Sequence, residues 1–204
     1  MSVQQPQAAG GMFIVHVAPF YPPRLGGMER VAQQVAELLA QRHRVEVITT
    51  DRGSDGSPAR EWSGGVHVRR YPAWEIAHTA LSPGLVLRLL VLPRGAIVHA
   101  HVAQAFVPEM VWLTSVLRRR PYIVHFHLDV DPSGRAGVVL PAYKRWVLGP
   151  VLRRAAAVVA LSAEQAVFLQ ERYGVDVQLA THAQVADAPA PVDAVAVGVG
   201  QVVV

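Results

Sequence analysis

Polar side chains that could do chemistry cluster in two short stretches of the sequence, each with two histidines spaced two residues apart. Residues two apart on a β-strand point to the same face, so each pair would present both imidazoles on one side of a sheet. Acidic residues follow the second pair. The whole set comprises His99, His101, His125, His127, Asp129 and Asp131.

Three chemistries fit this cluster. Imidazoles and carboxylates are common metal ligands. They could instead bind the hydroxyls of a sugar or a phosphate, with one imidazole acting as donor or base near neutral pH. The third interpretation is histidines at the core edge that hydrogen-bond to backbone, which we favour for His99 and His125. We favour a functional role for His127, where a strand opens into a polar loop, and we rank a metal last because the spacing matches no short zinc motif.

Two glycines precede the first helical pattern, in the sequence Arg24-Leu25-Gly26-Gly27. Paired glycines let the backbone approach a ligand, and the N–H groups at a helix start attract an anion. This predicts a phosphate or diphosphate cradle. The alternative is a tight turn that requires positive φ, and the sequence does not separate the two. The loop lacks GxGxxG and no P-loop lysine follows, which argues against a Rossmann dehydrogenase or epimerase.

Two segments, residues 111–120 and 138–154, combine tryptophan and aliphatic side chains with arginines. Amphipathic helices of this composition lie on anionic lipid. Ordinary helices that face the core and expose solvated arginines have the same composition, and on sequence alone we favour that second interpretation.

The elements that must position these residues alternate between strand and helix patterns. Strands that are apolar along their length, separated by helices, predict a doubly wound, mostly parallel, Rossmann-like α/β sheet covered on both faces. Ligands of such sheets bind beyond the carboxyl ends of the strands, here after Ala18, Ala100 and Phe126. Predicted strands are 12–18, 45–49, 66–71, 96–100, 122–126 and 156–161, predicted helices are 28–42, 83–92, 104–119, 141–154 and 162–173, and predicted loops are 51–65 and 129–137.

Composition sets outer limits on the class of protein. With 51% hydrophobic and 17% charged residues in a chain of 204, the sequence is too apolar for a disordered protein. The absence of cysteine excludes disulfides, thiolate catalysis and cysteine-type zinc sites. A net charge of +4 suits phosphate or an anionic membrane face and is too small for a nucleic-acid partner. Lys144 is the only lysine beside many arginines, which suggests a GC-rich bacterial genome.

The chain divides into three predicted parts. Residues 1–11 form a flexible leader without the features of a signal peptide, and residues 12–176 form the domain. Residues 177–204 are rich in alanine and valine and contain no lysine or arginine. This predicts a weakly ordered tail or the product of a shifted reading frame. No apolar run reaches the ~18 residues of a membrane span. The absence of cysteine agrees with a reducing cytoplasm, and we expect a cytoplasmic protein.

Four segments, in this order, resemble family 4 glycosyltransferases: FIVHVAPFYPPRLGGMERVAQQVAELLAQRHRVEVIT, AIVHAHVA, YIVHFHLDVDPSG and LRRAAAVVALSAEQAVFLQERYGV. The resemblance covers residues 12–176 and implies the N-terminal, acceptor-side half of a GT-B fold. Such enzymes are retaining, need no metal or other cofactor, and use a nucleotide-sugar donor. Relatives that include phosphatidylinositol mannosyltransferases imply a lipid or saccharide acceptor and a peripheral location on the inner membrane face.

The resemblance also suggests roles for individual residues. Gly26 and Gly27 would lie near the donor diphosphate. His127 would lie near the transferred sugar as the catalytic candidate, with His125 a weaker alternative. The further candidates for binding substrate or diphosphate are Arg24, His101 and Asp129.

The second domain of the family carries an Arg/Lys pair and an E-x7-E motif, and neither follows residue 176 in this sequence. We therefore expect a truncated enzyme that is inactive alone, because the contacts that bind the donor would be lost. The alternative is a non-catalytic binding module, or a subunit of a split glycosyltransferase that pairs with a separate C-terminal half.

Overall fold

The computed structural model describes residues 11–76, 79–127 and 140–180. The predicted leader up to residue 10, the loop from 129 to 137 with Asp129, and the tail from 181 lie outside the described residues. The chain divides into two compact units, residues 1–99 and 100–204, with the boundary inside a strand.

In the first unit, strands and helices follow one another along the chain. Its elements are β1 Phe13–Val17, α1 Gly27–Ala40, β2 Arg44–Thr50, β3 Arg60–Ser63, β4 Val66–Tyr71, β5 Trp74–Ile76, β6 Thr79–Leu81, α2 Pro83–Val91 and the first part of β7 Ala96–Val102. Strand order in its sheet is β1-β2-β4-β3. The β1–β2 and β2–β4 pairs are parallel, and β3 is antiparallel to β4.

The core of the first unit forms where α1 packs on this sheet. Ala32 and Ala36 of the helix lie in one cluster with Ile14, Val45 and Val47 of the strands. Small alanines let the helix approach the strands closely, while the β-branched side chains fill the space between. β1 is buried from Ile14 onward, which explains why its sequence is mainly apolar without alternation. β2 is buried from Val45 onward, although it includes Glu46.

Three short strands of the first unit were missed by the sequence prediction. β3 lies inside the segment predicted as loop 51–65, and its residues are mostly exposed. It is held by pairing with β4 and by Trp62, which stacks on His67 at a centroid distance of 4.8 Å. β5 and β6 form a separate antiparallel hairpin whose Trp74 is 67% exposed.

The second unit contains the end of β7 and the remaining elements. They are α3 Val107–Arg118, β8 Tyr122–Phe126, α4 Leu140–Tyr143, a π-helical turn Lys144–Leu148, α5 Gly149–Arg154, β9 Ala157–Ala160, α6 Ala163–Tyr173 and β10 Val177–Leu179. β8 pairs in parallel with β9, and β9 pairs in parallel with β10. The sheet therefore continues three residues past the predicted domain end at 176.

The ends of α6 follow directly from its sequence. Ser162 is extended and its Oγ accepts a hydrogen bond from the backbone N–H of Gln165 at 3.1 Å. Gly174 ends the helix in the left-handed region, with a φ of 64°. Both residues were predicted for these positions.

The predicted α/β class with a mostly parallel sheet is confirmed in both units. Within the described ranges, no helix is long and apolar enough to cross a bilayer.

Candidate functional site

The loop between β1 and α1 is tied to the sheet of the first unit by a buried arginine. Arg70 of β4 donates from Nη2 to the carbonyl of Pro22 at 2.7 Å and from Nη1 to the carbonyl of Pro58 at 3.1 Å. Thr50 adds a hydrogen bond from Oγ1 to the carbonyl of Pro19 at 2.6 Å. These bonds fix the loop that leads into the glycine pair.

Neither glycine of the pair has the positive φ that a tight turn would require. Gly26 is extended, with a φ of −172°, and Gly27 is the first residue of α1. A Cβ on Gly26 would lie 2.2 Å from Oε2 of Glu29, whereas a Cβ on Gly27 would meet nothing within 4 Å. The two glycines therefore leave space at the helix start and do not adopt a left-handed backbone. This excludes the tight turn with positive φ that the sequence left open.

The space at the start of α1 is partly filled by the protein's own carboxylate. Glu29 is 7% exposed, and its Oε1 lies 3.8 Å from Nε of Arg24. The Arg24 guanidinium is in turn stacked 3.5 Å above the ring centroid of Phe20. A negative group at a helix N-terminus is stabilised by the free N–H groups and the helix dipole. Sequence analysis singled out Arg24, Gly26 and Gly27 at this helix start and missed Glu29.

The second unit brings three histidines into one cluster. His101 Nδ1 lies 2.9 Å from His127 Nε2, within hydrogen-bond distance. His125 stacks against His127 at a centroid distance of 4.5 Å and against His101 at 5.2 Å. His101 and His125 are fully buried, and His127 is half-buried. The ends of β7 and β8 thus bring together His101 and His127, one from each of the two histidine pairs in the sequence.

The backbone of His127 is held from two sides. Its N–H donates to the carbonyl of Val102 at 2.9 Å, which continues the sheet beyond β8. Its carbonyl accepts from Nε2 of Gln165 at 3.3 Å, while Oε1 of the same side chain accepts from the N–H of Leu161 at 2.8 Å. Sequence analysis missed Gln165. Its signal is the Ser162-x-x-Gln165 spacing, which is that of a capping box.

His127 is a neutral imidazole, and one of its ring nitrogens is buried without a described hydrogen-bond partner. Burial lowers its pKa from 6.5 to about 4, because a charged ring would lose its hydration. Nδ1 has no hydrogen-bond partner among the described residues. A neutral ring can offer this nitrogen to a hydroxyl group as either a donor or an acceptor, depending on its tautomer.

The other histidines of the predicted pairs lie in the cores of their units. His99 is 9% exposed and stacks on His16 of β1 at a centroid distance of 4.7 Å. His125 is 1% exposed. Both rings are therefore buried in their units, while the backbone hydrogen bonds of the favoured interpretation stay a prediction. Asp129 and Asp131, the predicted acidic members, lie outside the described residues.

The apolar-basic segments predicted from the sequence form neighbouring helices of the second unit. Leu113, Leu117 and Trp146 are 51%, 64% and 71% exposed. Arg145 lies 5.2 Å from the ring centroid of Trp146. Glu109 is the acidic residue of α3, and it accepts a hydrogen bond from Tyr143, whose pKa is raised by burial. The sequence of residues 140–154 contains no aspartate or glutamate.

Comparisons with known proteins identify the domain. Residues 26–183 match the model of the glycosyl transferase 4-like domain. No curated protein matches the sequence. Among solved structures, the chain is similar to a sucrose-phosphate synthase from Thermosynechococcus elongatus, with a TM-score of 0.53 and 13% identity. The match covers 82% of this chain and 47% of that chain, so this chain spans less than half of the synthase. The likeness supports the Rossmann-like fold.

Proposed function

This chain belongs to the glycosyl transferase 4-like family, and we propose that it forms the acceptor-side domain of a retaining glycosyltransferase. The parent activity is transfer of a hexose from a nucleotide sugar to a lipid or saccharide acceptor, without a metal ion or other cofactor. The single observation that supports this most is the buried Nδ1 of His127, which has no hydrogen-bond partner among the described residues and lies at the end of a parallel strand inside the matched domain.

The chemistry of His127 suits a sugar better than a phosphate or a metal. A ring whose pKa is lowered to about 4 is uncharged at neutral pH, so it offers no positive charge to a diphosphate. Neutral imidazoles form hydrogen bonds with hydroxyl groups of either polarity. Because Val102 and Gln165 fix the backbone of His127, the residue can orient a hexose with little reorganisation during the reaction.

The start of α1 is the proposed diphosphate subsite, with one condition. The carboxylate of Glu29 now lies beside Gly26, where it would repel phosphate oxygens. Glu29 must therefore swing away when the donor binds, which would free Arg24 to pair with a phosphate. Because Arg24 is already engaged by Glu29 and by the ring of Phe20, we expect this chain alone to bind the donor weakly and to turn it over slowly.

The test is a transfer and binding assay on the whole chain. UDP-glucose and GDP-mannose serve as donors, with phosphatidylinositol vesicles or simple saccharides as acceptors. We expect saturation-transfer NMR signals from the hexose protons, their loss in His127→Phe, and negligible turnover. His43→Phe, at a half-buried histidine outside the cluster, is the control and should bind like the wild type. Hexose signals that survive in His127→Phe would refute the role of this ring, and rapid turnover or an inverted product would refute the acceptor-side, retaining assignment.

We further propose that the exposed face of α3 and the 140–154 helices docks on anionic lipid at the inner membrane face. Leu117 and Trp146 would enter the interface while Arg145 binds headgroups. Support comes from the exposure of both apolar side chains and from the cation above the tryptophan ring.

Vesicle sedimentation tests this proposal. Phosphatidylglycerol vesicles should pellet the protein at low salt, and phosphatidylcholine vesicles should not. Trp146→Ala should weaken binding, whereas Trp74→Ala, at a tryptophan that is 67% exposed next to Glu75, should not. Equal effects of the two substitutions, or no binding to phosphatidylglycerol, would refute the docking face.

A further inference from the structure

We propose that the sheet of the first unit binds a phosphate-bearing anion between Arg60 of β3 and Arg69 of β4, on the face opposite to α1. The helix packs on the other face of the same strands, against side chains such as Val47 and Val68. The proposed anion site therefore differs from the glycine pair at the start of α1. It does not depend on the proposed function of the chain.

The strand register places the polar side chains of this face in two neighbouring rows. Residues in register on adjacent strands have their side chains on the same face, and so do residues two apart on one strand. The first row is Glu46, His67 and Trp62, and the second row is Ile48, Arg69 and Arg60.

The two arginines of the second row lack a counter-charge in that row. Arg60 and Arg69 lie directly opposite each other on antiparallel strands, where like charges repel and destabilise the sheet. The β2 member of the row is the apolar Ile48. On the other face, in contrast, Nη2 of Arg70 is paired with a carboxylate oxygen of Glu61 at 2.6 Å. An anion between Arg60 and Arg69 would supply the missing negative charge.

The carboxylate of the first row is already engaged by another element. Arg88 of α2 donates to both oxygens of Glu46, at 2.7 and 2.9 Å. Nε of Arg69 lies 3.3 Å from Oε1 of Glu46, yet it has no hydrogen-bond partner among the described residues. Two guanidinium groups thus share one buried carboxylate, and Arg60 adds a third positive charge beside them. This surplus creates a local positive potential that attracts anions.

Solvent ions can reach the proposed site, and its chemistry suits a phosphate group. Arg60 is exposed, and the side chain of Arg69 is 22% exposed. Guanidinium groups form paired, charge-assisted hydrogen bonds with phosphate oxygens. Directly opposite residues have Cβ atoms about 4.5–5.5 Å apart, so two long arginine side chains can hold one phosphate between them.

His67 of the first row makes anion binding depend on pH. Burial, followed by Arg69, lowers the pKa of His67, and Arg60 acts in the same direction, while Glu46 raises it. The charged groups around the ring thus come from β2, β3 and β4, and Arg88 of α2 shares the same carboxylate. A bound anion adds negative charge near the ring and raises its pKa. Binding should therefore take up a proton and become tighter as pH falls.

The test is an NMR titration of the whole chain with sulfate, which has the tetrahedral shape of phosphate and does not titrate near neutral pH. Chloride at equal ionic strength is the reference. We expect saturable shifts of the His67 ring, a raised pKa of that ring, and tighter binding at about pH 6 than at about pH 8. Arg60→Gln and Arg69→Gln should each weaken binding about tenfold or more. Arg52→Gln, at an exposed arginine paired with Asp51, is the control and should bind like the wild type.

Two further arms identify the source of the phosphate. Glycerol 3-phosphate represents a free molecule, and phosphatidylglycerol vesicles represent a lipid headgroup. Competition with sulfate by either probe, lost in Arg60→Gln, supports the site and names its source. Competition by neither would overturn the proposal.

Other outcomes separate this site from its alternatives. Shifts that do not saturate, an unchanged pKa of His67, or equal effects of Arg60→Gln and Arg52→Gln would mean an adventitious ion only and would overturn the proposal. If Arg69→Gln does not fold, the exposed Arg60 decides. Gly27→Ala changes the proposed diphosphate subsite on the other face and should leave sulfate binding here intact, so failure of one site does not imply failure of the other.

Discussion

Replacing Gly27 by alanine should stabilise the free protein and weaken its binding of a nucleotide sugar. Gly27 begins α1 without a positive φ, and an added Cβ would meet nothing within 4 Å. Alanine then acts mainly by reducing the conformational entropy of the unfolded chain, which stabilises the folded protein by about 0.4–1 kcal/mol. For a chain of this length, the melting temperature should rise by about 1–4 °C.

Binding should change in the opposite direction. A phosphate oxygen bonded to a backbone N–H comes within about 2.9 Å of the nitrogen, and a methyl group at Gly27 would occupy part of that approach. Loss of one hydrogen bond to a charged group costs about 1.5–3 kcal/mol, which corresponds to roughly tenfold to a hundredfold in affinity.

Thermal unfolding by circular dichroism and titration calorimetry with UDP-glucose give the two readouts. Gly95→Ala is the matched control, since Gly95 also has open space around a Cβ and no positive φ. It should stabilise without affecting binding. If Gly27→Ala bound UDP-glucose as tightly as the wild type, or if the wild type did not bind it, the assignment of this helix start to a diphosphate would be refuted.

Three further predictions concern stability. Gly26→Ala should destabilise the protein by about 1 kcal/mol, because its Cβ would lie 2.2 Å from Oε2 of Glu29. In a double-mutant cycle followed by urea unfolding, Glu29→Ala should remove this cost. If the effects of the two substitutions were simply additive, the clash with Glu29 would not be the cause. The pKa of His127 falls from 6.5 to about 4 on folding, so the free energy of unfolding should drop as pH decreases from 6.5 to 4, by at most about 3 kcal/mol. Urea unfolding of His127→Gln at several pH values should lack this pH-dependent loss. A His127→Gln profile identical to that of the wild type would contradict the prediction. Glu46→Gln should cost about 3 kcal/mol in the same assay, since Arg88 donates to both carboxylate oxygens at 2.7 and 2.9 Å; a loss below 1 kcal/mol would show that the pair is dispensable.

Much of the fold follows from local patterns in the sequence. β8 is buried along its whole length, and β1 and β2 are buried after their first residue, so their mainly apolar runs mark them as strands of a covered parallel sheet. The serine and glycine that bound α6 act through nearby backbone groups, and such local bonds are visible in sequence. The prediction failed for β3, β5 and β6, whose short and exposed segments become strands only through their pairing partners.

Part of the candidate site could also be predicted from local patterns in the sequence. His101 and His127 stand out because each lies at the end of a predicted strand, and in the structure their rings are in contact. Glu29 was not identified, because an acidic residue in the first helical turn is common and its position beside Gly26 depends on the folded loop. The bond from Gln165 to the carbonyl of His127 spans 38 residues, and no sequence spacing specifies it.

The dual role of Gln165 links the candidate ring to the first turn of α6. The oxygen of its amide accepts from the N–H of Leu161, just before the helix, and the nitrogen donates to the carbonyl of His127 at the strand end. Whatever immobilises that strand end should therefore also slow amide hydrogen exchange at the helix start. The protection of a few backbone amides near residue 161 would then report occupancy of the imidazole site, even for a ligand that never touches the helix.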